Sequence, residues 1–259
     1  MQTRESVWMD KKLVKNTESI NGELPILFCL PFAGGGASAY GSWMKKLDGI
    51  CCVCPIQLPG REERMTEPPY EEMGALLSEL EETVSYFINL IRGAYAVWGH
   101  SMGGKLGYEL ERRLEARGYT AEGFFVSGSR VPHIPEPEPV YHLPDCEFKE
   151  KLARFEGTPK ELLEHPELLD FFLPMLRADF KMDETYCSDN PVPLKCPIVA
   201  FSGAADREAS AKEMQAWREY TVNDFVSRVF EGGHFFIREQ EDEIIRTIAE
   251  RMTAYRSDT

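Results

Sequence analysis

Short apolar runs alternate with amphipathic stretches along most of the chain, and this alternation predicts a sheet covered by helices. Six runs are typical of strands, at 24–31, 50–57, 95–100, 123–129, 197–203 and 225–233. Apolar residues recur near helical spacing in three longer segments, at 72–92, 102–117 and 239–256. Strand followed by helix, repeated, predicts a mostly parallel central sheet flanked by helices, in one α/β domain spanning residues 1–259.

One section, residues 131–193, lacks the strand pattern. It opens with the run VPHIPEPEPVYHLPD, rich in proline and acid, and continues into helical stretches at 147–155, 159–164 and 166–180. Structureless loops of this length are uncommon in compact domains, whereas segments that cover an active site are a known reason for such an insertion. We therefore predict a helical lid, with a solvated helical decoration as the alternative.

The charge balance narrows the range of partners. Acidic residues outnumber basic ones, 43 to 29, and the formal net charge is −14. This disfavours binding to nucleic acid or to an anionic membrane, because both attract a basic surface. The sequence has no run approaching the roughly 20 apolar residues of a membrane-spanning helix, and its polar N-terminus lacks the apolar segment of a secretory signal. We expect a cytoplasmic protein.

Seven cysteines occur, at positions 29, 51, 52, 54, 146, 187 and 196. Most lie in apolar runs, so we expect buried free thiols in a reducing compartment. The spacing of Cys52 and Cys54 resembles that of a metal-ligand pair, but alternate positions on a strand face opposite ways and no second pair follows. No metal site is predicted.

Residues 99–103 spell Gly-His-Ser-Met-Gly, a G-x-S-x-G pattern between a predicted strand and a predicted helix. A strand-to-helix turn of this kind holds its serine in a strained conformation with the hydroxyl exposed, as in the nucleophile elbow of α/β-hydrolases. Gly99 and Gly103 leave room where side chains would collide with the turn. We predict that Ser101 is a nucleophile and that the chain has the α/β-hydrolase fold.

A serine hydroxyl needs a base, and the base needs an acid that orients it. In this fold the acid, and after it the histidine, follow the serine along the chain. His234 lies after the last predicted strand, in EGGHFF, whereas His100 adjoins the nucleophile. The remaining histidines, His133, His142 and His165, fall in the insertion. His234 is therefore the predicted base, with a surface-loop histidine as the alternative.

The acid is expected at the carboxyl end of the preceding strand, and the run PIVAFSGAAD delivers Asp206 there. Asp179 and Asp183 lie in the insertion, and Asp224 precedes the last strand, so none of these three ends a strand. Glu208 is close enough to be a fallback. Asp206 is the predicted acid, and its role would be to fix the tautomer of the imidazole and to stabilise the imidazolium.

The oxyanion of a tetrahedral intermediate needs hydrogen-bond donors. The backbone N–H of Met102, next to the nucleophile, is the first candidate. The second is expected from the run LPFAGGGASAY after the first strand, where the sequence does not separate Phe32 from Ala33. This run lacks the Lys-Ser/Thr of a P-loop and the G-x-G-x-x-G of a dinucleotide site, so no phosphate cradle or cofactor is predicted.

These features resemble type II thioesterases, the stand-alone editing enzymes of polyketide and nonribosomal peptide assembly lines. The similarity runs from Leu27 to about Ile248 and is carried by LPFAGGGASAY, QLPGREERMTEPPY, WGHSMGGKLGYEL, LLEHPELLDFFLPMLRADFKMDETY and EGGHFFI. The runs at 59–69 and 172–179 are more specific than the serine elbow. One departure is Glu156, which stands where many relatives have glycine before a Thr-Pro pair.

The resemblance implies that Ser101, Asp206 and His234 form a catalytic triad and that residues 131–193 form a mobile lid over the acyl site. It also implies hydrolysis of acyl or aminoacyl thioesters held on the phosphopantetheine arm of acyl or peptidyl carrier proteins. No cofactor is expected beyond that arm. The sequence carries no sign of an obligate dimer, so a monomer is expected.

Two other functions stay open on the sequence. A general carboxylesterase or lipase would share the elbow and the triad but not the runs at 59–69 and 172–179. A non-catalytic binding module of the same fold would not react with a probe for nucleophilic serine. Five basic residues are candidates to contact a carrier phosphate, although such residues are more commonly solvated surface charges: Arg61, Arg64, Lys105, Arg177 and Lys181.

Overall fold

A six-stranded parallel sheet forms the centre of the computed structural model, which describes residues 12–91, 94–157, 160–188 and 192–257. The strands are β1 (Ile26–Leu30), β2 (Cys52–Pro55), β3 (Tyr95–His100), β4 (Gly123–Ser127), β5 (Ile198–Gly203) and β6 (Phe225–Phe230). Their order in the sheet is β2-β1-β3-β4-β5-β6, and every neighbouring pair is parallel. All six predicted strands are confirmed, each within its predicted range.

Helices cover both faces of this sheet. They are α1 (Gly41–Lys46), α2 (Met73–Ile91), α3 (Met102–Ala116), α4 (Asp145–Leu152), α5 (Lys160–Glu164), α6 (Pro166–Thr185), α7 (Ala211–Met214), α8 (Phe236–Glu239) and α9 (Glu241–Ser257). The helices predicted at 72–92, 102–117 and 239–256 correspond to α2, α3 and α9. Helices α1, α7 and α8 were not predicted, because they are too short to show a helical period.

Alternate side chains of the central strands enter two different cores, as the two-residue period of a strand requires. In β1, Phe28 belongs to the core that includes the apolar residues of α2 and α3, whereas Leu27 belongs to the core under α1 and α9. Val97 and Trp98 of β3 divide in the same way. Burial on both faces explains why these strands are apolar without interruption.

Between β4 and β5 the chain leaves the sheet and forms α4, α5 and α6. The described part of this insertion contains no strand, as predicted, and α6 continues to Thr185 instead of ending at residue 180. The predicted start of the second helix, residue 159, lies outside the described residues. Phe148, Leu152, Leu169 and Leu173 contribute to a separate apolar cluster. The insertion is therefore a packed helical unit with its own small core.

The cysteines are free, and five of the seven are buried, with Cys146 and Cys187 exposed. Burial raises the pKa of the Cys29 thiol well above its ordinary value, which keeps it in the unreactive protonated form. The expectation of buried free thiols is confirmed for most positions. Within the described ranges, no helix is both long and apolar enough to cross a membrane.

Candidate active site

Ser101 occupies the sharp turn between the end of β3 and the first residue of α3. Its backbone angles are φ 54° and ψ −123°, which L-residues with a side chain rarely adopt. Its N–H donates to the carbonyl of Ser127 at 2.9 Å, and its own carbonyl accepts from the N–H of Gly104 at 2.8 Å. Strand and helix thus hold the serine in the strained conformation that the G-x-S-x-G pattern predicts.

The glycines of the elbow are required by close approach of the backbone. A Cβ on Gly99 would lie 2.0 Å from the carbonyl oxygen of Gly103, and a Cβ on Gly103 would lie 2.5 Å from that of Leu30. Both obstacles are main-chain atoms, which cannot rotate away as a side chain can. The predicted reason for these two glycines is therefore confirmed.

His234 and Asp206 meet at the carboxyl end of the sheet. Asp206 follows β5 and His234 follows β6, and Nδ1 of the imidazole lies 3.0 Å from Oδ2 of the carboxylate. The other oxygen, Oδ1, accepts the backbone N–H groups of Glu208 at 2.8 Å and Ala209 at 3.0 Å. The structure therefore brings the predicted base and the predicted acid into contact.

This contact shifts the pKa of both partners. Burial acts to raise the pKa of Asp206, but the hydrogen bonds from His234 and from two backbone N–H groups outweigh burial, and the pKa lies below its ordinary value. Burial acts to lower the pKa of His234, but Asp206 and the neighbouring carboxylate of Glu208 outweigh it, and the pKa lies above its ordinary value. The pair therefore favours a charged imidazolium, which the reaction requires transiently.

The second ring nitrogen of His234 faces a residue that the sequence analysis treated only as a fallback. Oε2 of Glu208 lies 3.5 Å from Nε2 of His234. The hydroxyl of Ser101 has no hydrogen-bond partner in the described part of the chain, although Ser101 and His234 line the same cavity. In free enzymes the bond from nucleophile to base is commonly long and tightens when substrate binds.

His100 is fully buried beside the base. Its Nδ1 lies 3.0 Å from the hydroxyl of Ser127, and its ring centroid is 4.9 Å from that of His234. Burial lowers the pKa of His100 far below its ordinary value, and the adjacent His234 adds to this effect. His100 is therefore neutral, and the ring of His234 packs against it.

The glycine-rich loop after β1 is fixed by two charged residues. The guanidinium of Arg61 contacts both carboxylate oxygens of Asp179, at 2.6 and 2.7 Å, and both side chains are buried. Oδ2 of Asp179 also accepts the N–H of Gly34 at 2.8 Å, and Arg61 donates to the carbonyl of Gly35 at 3.1 Å. The ion pair therefore joins α6, the run at 59–69 and this loop at one point.

This role was missed in the sequence analysis. There, Asp179 was a rejected rival for the catalytic acid, and Arg61 was a candidate phosphate contact. One feature of the sequence points to this contact. The two most family-specific runs, at 59–69 and 172–179, contain Arg61 and Asp179 respectively. A pair of opposite charges in two such runs is compatible with a buried ion pair, whereas spacing alone does not reveal it.

The loop places two of the three predicted oxyanion donors at the cavity. Phe32 and Ala33 both line it together with Ser101. In the described part of the structure, the N–H groups of Phe32, Ala33 and Met102 donate to no backbone or side-chain acceptor. All three therefore remain available to an oxyanion.

The other basic residues proposed for a carrier phosphate also have carboxylate partners. The partners are Glu67 for Arg64, Asp183 for Lys105, Asp145 for Arg177 and Glu71 for Lys181. Arg64 and Lys105 are buried as well. Arg154 and Arg207 are better placed to contact a phosphate, because both are exposed, line the cavity and lack an ion-pair partner in the described ranges.

A cavity of about 1250 Å³ opens beside Ser101 and His234. One wall comes from the glycine-rich loop, and much of the rest comes from the insertion, including Leu152, Phe172 and Leu176. Apolar side chains from α4 and α6 thus face the space next to the nucleophile. Such a cavity suits an acyl chain, because it removes apolar surface from water.

A group of possible metal ligands lies elsewhere, at the amino-terminal end of the sheet. Within the described residues, ligand atoms of Glu111, Glu115 and Cys196 lie within 4.8 Å of one another. Glu111 already accepts from the N–H of Ala121 and the hydroxyl of Tyr95, and Glu115 accepts from two backbone N–H groups. These contacts account for both carboxylates as parts of the fold.

Comparison with known proteins agrees with this geometry. Residues 25–252 match the family model of the thioesterase domain. Linear gramicidin dehydrogenase LgrE of Brevibacillus parabrevis is 38% identical over 235 residues, 89% of this chain and 88% of that protein. Thioesterase PikA5 of Streptomyces venezuelae is 35% identical over 231 residues, 89% and 82% of the two chains. The structure of the type II thioesterase BorB, from the borrelidin biosynthetic cluster, matches with a TM-score of 0.83 at 33% identity, covering 93% of this chain and 98% of that one.

The position of Ser101 after a central strand and of His234 after the last strand matches the arrangement of the α/β-hydrolase class, and the predicted fold is confirmed. The chain belongs to the thioesterase domain family, whose model covers most of its length. It is a thioester hydrolase, and the resemblance to type II thioesterases is confirmed.

Proposed function

We propose that this thioesterase removes acyl or aminoacyl groups from the phosphopantetheine arm of carrier proteins, as an editing enzyme of polyketide or nonribosomal peptide synthesis. The observation that carries the proposal is the cavity beside Ser101, which is walled by the insertion and is large enough for an acyl chain together with part of the arm. The name of PikA5 and the biosynthetic cluster named for BorB support the same assignment.

The proposed reaction has two steps. The oxygen of Ser101 attacks the thioester carbonyl while its proton passes to Nε2 of His234, and the negative charge on the carbonyl oxygen is stabilised by backbone N–H groups. The carbon–sulfur bond then breaks, and the departing sulfur of the arm takes the proton from His234. This leaves an acyl group on Ser101 and a neutral imidazole.

Water completes the turnover. His234 removes a proton from the water as it attacks the acyl-serine, and the ester bond to Ser101 breaks as the serine oxygen regains that proton. Asp206 holds the imidazole in the tautomer with the proton on Nδ1, which leaves Nε2 free to act as base. The free acid leaves, and the arm carries a free thiol again.

The insertion and two arginines have further roles in this proposal. Residues 131–193 would cover the acyl group and exclude bulk water from the cavity. Arg154 and Arg207 would receive the phosphate of the arm, because both line the cavity and lack a carboxylate partner in the described part of the chain. The carrier protein is the expected partner, and the chain is expected to act as a monomer.

The test presents one acyl group in three ways: on a holo carrier protein, on a small pantetheine thioester and as an oxygen ester. We expect kcat/KM to be highest for the carrier-bound thioester and to be lost with Ser101→Ala. Equal or faster turnover of the oxygen ester would instead indicate a general esterase. Turnover by Ser101→Ala would exclude the acyl-serine route, whatever the substrate.

A further inference from the structure

Glu208 is a charged residue of the cavity for which the two-step reaction has no use. Its carboxylate lies 3.5 Å from Nε2 of His234, and its side chain is 37% exposed. Its backbone N–H donates to Asp206 at 2.8 Å, so the position of the residue is tied to the catalytic acid itself. A carboxylate held here affects either the pKa of His234 or the binding of the substrate.

The described residues supply Glu208 with one cationic partner, His234. Burial raises the pKa of Glu208, the carboxylates of Asp206, Glu136 and Glu156 add to the rise, and His234 counteracts it. Glu136 pairs with Arg130, which also pairs with Glu213, whereas Glu156 has no cation within ion-pair distance in the described ranges. In the described part of the chain, Glu156 therefore has no ion-pair partner and Glu208 has none besides His234.

The arginines near this wall of the cavity make no ion pair with Glu208 within the described residues. Arg238 lies over the ring of Phe235 at 4.5 Å and donates to the carbonyl of Gly157 at 3.4 Å. Arg207 is adjacent in sequence but makes no ion pair with Glu208. A cation supplied by the substrate would thus meet a carboxylate without competition from a bound arginine.

We infer that Glu208 forms a subsite for the α-ammonium group of aminoacyl thioesters, so that the enzyme prefers substrates with a free amine over acyl groups of the same size without one. This inference rests on the proposed function, because it concerns the acyl group attached to Ser101. It adds a specificity-determining residue next to the base.

Distances support this placement. The amine nitrogen of an aminoacyl group is two bonds of about 1.5 Å each from the reacting carbonyl carbon. The base must lie within about 3 Å of the serine oxygen that bonds to this carbon. An α-amine can therefore lie within a few ångströms of Nε2, a range that includes the carboxylate of Glu208 at 3.5 Å from the same nitrogen.

The protonation state of His234 during turnover also supports an ammonium subsite at Glu208. His234 is neutral both before the attack and after the arm has left with its proton, so in these states Glu208 has no cationic partner among the described residues. An ammonium group on the bound thioester supplies that partner from the start of the reaction and stabilises the transition state of the first step, which kcat/KM reports. An acyl group without an amine leaves the carboxylate half-buried and unpaired, which costs free energy.

The experiment compares alanyl and propionyl thioesters, which have similar size, on the same pantetheine arm. An alanyl thioester is intrinsically more reactive, so the quantity that decides is how Glu208→Gln changes the ratio of the two kcat/KM values. We expect this ratio to fall about 10-fold or more relative to the wild-type enzyme, the usual effect of one charged hydrogen bond. Glu208→Asp, which keeps the charge, should restore part of it.

Glu138→Gln is the matched control, because it removes an equal charge from the cavity lining at a residue that does not contact His234. It should leave the ratio unchanged. An equal fall in both rates with Glu208→Gln would mean that Glu208 acts through the base and would overturn the subsite. An unchanged ratio with normal rates would overturn it too. Failure of the wild-type enzyme on both thioesters would instead count against the proposed function.

Discussion

Arg61 and Asp179 form a buried bidentate ion pair that fastens helix α6 of the insertion to the loop carrying the candidate oxyanion donors. Because Asp179 also accepts the N–H of Gly34, any movement of α6 at this point would be transmitted to the residues next to Phe32 and Ala33. Helix α6 and the glycine-rich loop are thus held together at this point, although they lie far apart in the sequence.

Loss of one partner of this pair should reduce both stability and activity. Asp179→Asn removes the charge that compensates the buried guanidinium of Arg61, and breaking a buried pair in this way costs about 3–5 kcal/mol. We expect urea-induced unfolding to show a fall of this order in the free energy of unfolding, and kcat to fall with it. Asp170→Asn, which lies on the same helix but is paired with Lys149 at the surface, should change the free energy of unfolding by less than about 0.5 kcal/mol.

The double variant Arg61→Met with Asp179→Leu separates the two effects. Replacing a buried ion pair by apolar side chains of similar volume is commonly neutral for stability. We expect the free energy of unfolding to recover relative to Asp179→Asn, while kcat stays low because Gly34 and Gly35 have lost their fixed partners. Full recovery of kcat in the double variant would mean that the ion pair does not position the loop.

The pH dependence of the reaction should follow the raised pKa of His234. The base must be neutral to accept the proton of Ser101, so kcat/KM should rise with pH, with its midpoint above the ordinary histidine value of about 6.5. Glu208→Gln removes one of the charges that raise this pKa, so the rising limb of the profile of kcat/KM against pH should move to lower pH. Glu138→Gln should leave the limb in place. A wild-type limb below pH 6 would contradict the arrangement of charges around His234.

The raised pKa of His234 also makes the stability of the folded state depend on pH. A group with a raised pKa in the folded state stabilises that state below the unfolded pKa, and this contribution is lost as the pH rises through the folded pKa. Asp206→Asn should remove the effect and lower kcat by about 10⁴, because the imidazole loses the partner that fixes its tautomer. Single-turnover kinetics with a chromogenic thioester would measure the loss in kcat.

The elbow should not tolerate a methyl group at its second glycine. Gly103→Ala would put a Cβ 2.5 Å from the carbonyl oxygen of Leu30, so strand β1 or helix α3 would have to shift. We expect a loss of about 1–3 kcal/mol in the free energy of unfolding and strongly reduced labelling by a serine-reactive probe. Gly74→Ala is the control, since no atom lies within 4 Å of the added Cβ and alanine is the better helix former. It should be neutral or slightly stabilising.

Hydrogen exchange should divide the insertion into a fixed and a moving part. Helix α6 is tied to the body of the protein by Asp179 and by the ion pair of Asp183 with Lys105, so its amides around these residues should exchange slowly. The amides of α4 and of residues 153–157 should exchange faster and respond to acyl substrate. Uniformly slow exchange across residues 131–193, with no response to substrate, would argue against a moving lid.

The strands, the long helices and the meeting of Asp206 with His234 could be predicted from the sequence, because each depends on a local pattern. The β3 run and the G-x-S-x-G that follows it are contiguous, and the sheet topology alone carries Asp206 and His234 to the same edge. Parallel strands place their carboxyl ends together, so a residue just after a strand can be assigned to that edge without knowledge of its contacts.

Long-range contacts between single charges could not be predicted in this way. Arg61 and Asp179 are 118 residues apart, and neither differs in type from an ordinary surface charge. The approach of Glu208 to Nε2 of His234 likewise depends on the path of the chain after β5, which no periodic pattern encodes. Helix α1 was missed for a different reason, because its six residues are too few to show amphipathic spacing.

The ion pair between Arg61 and Asp179 also restricts how the insertion can be exchanged among relatives. A chimera that receives residues 131–193 from another thioesterase receives a new α6, while the loop after β1 and the run at 59–69 stay with the recipient. Such a graft can work only where the incoming helix presents a carboxylate to the resident guanidinium. In collections of natural sequences, these two positions should therefore change together, even where the rest of the insertion diverges freely.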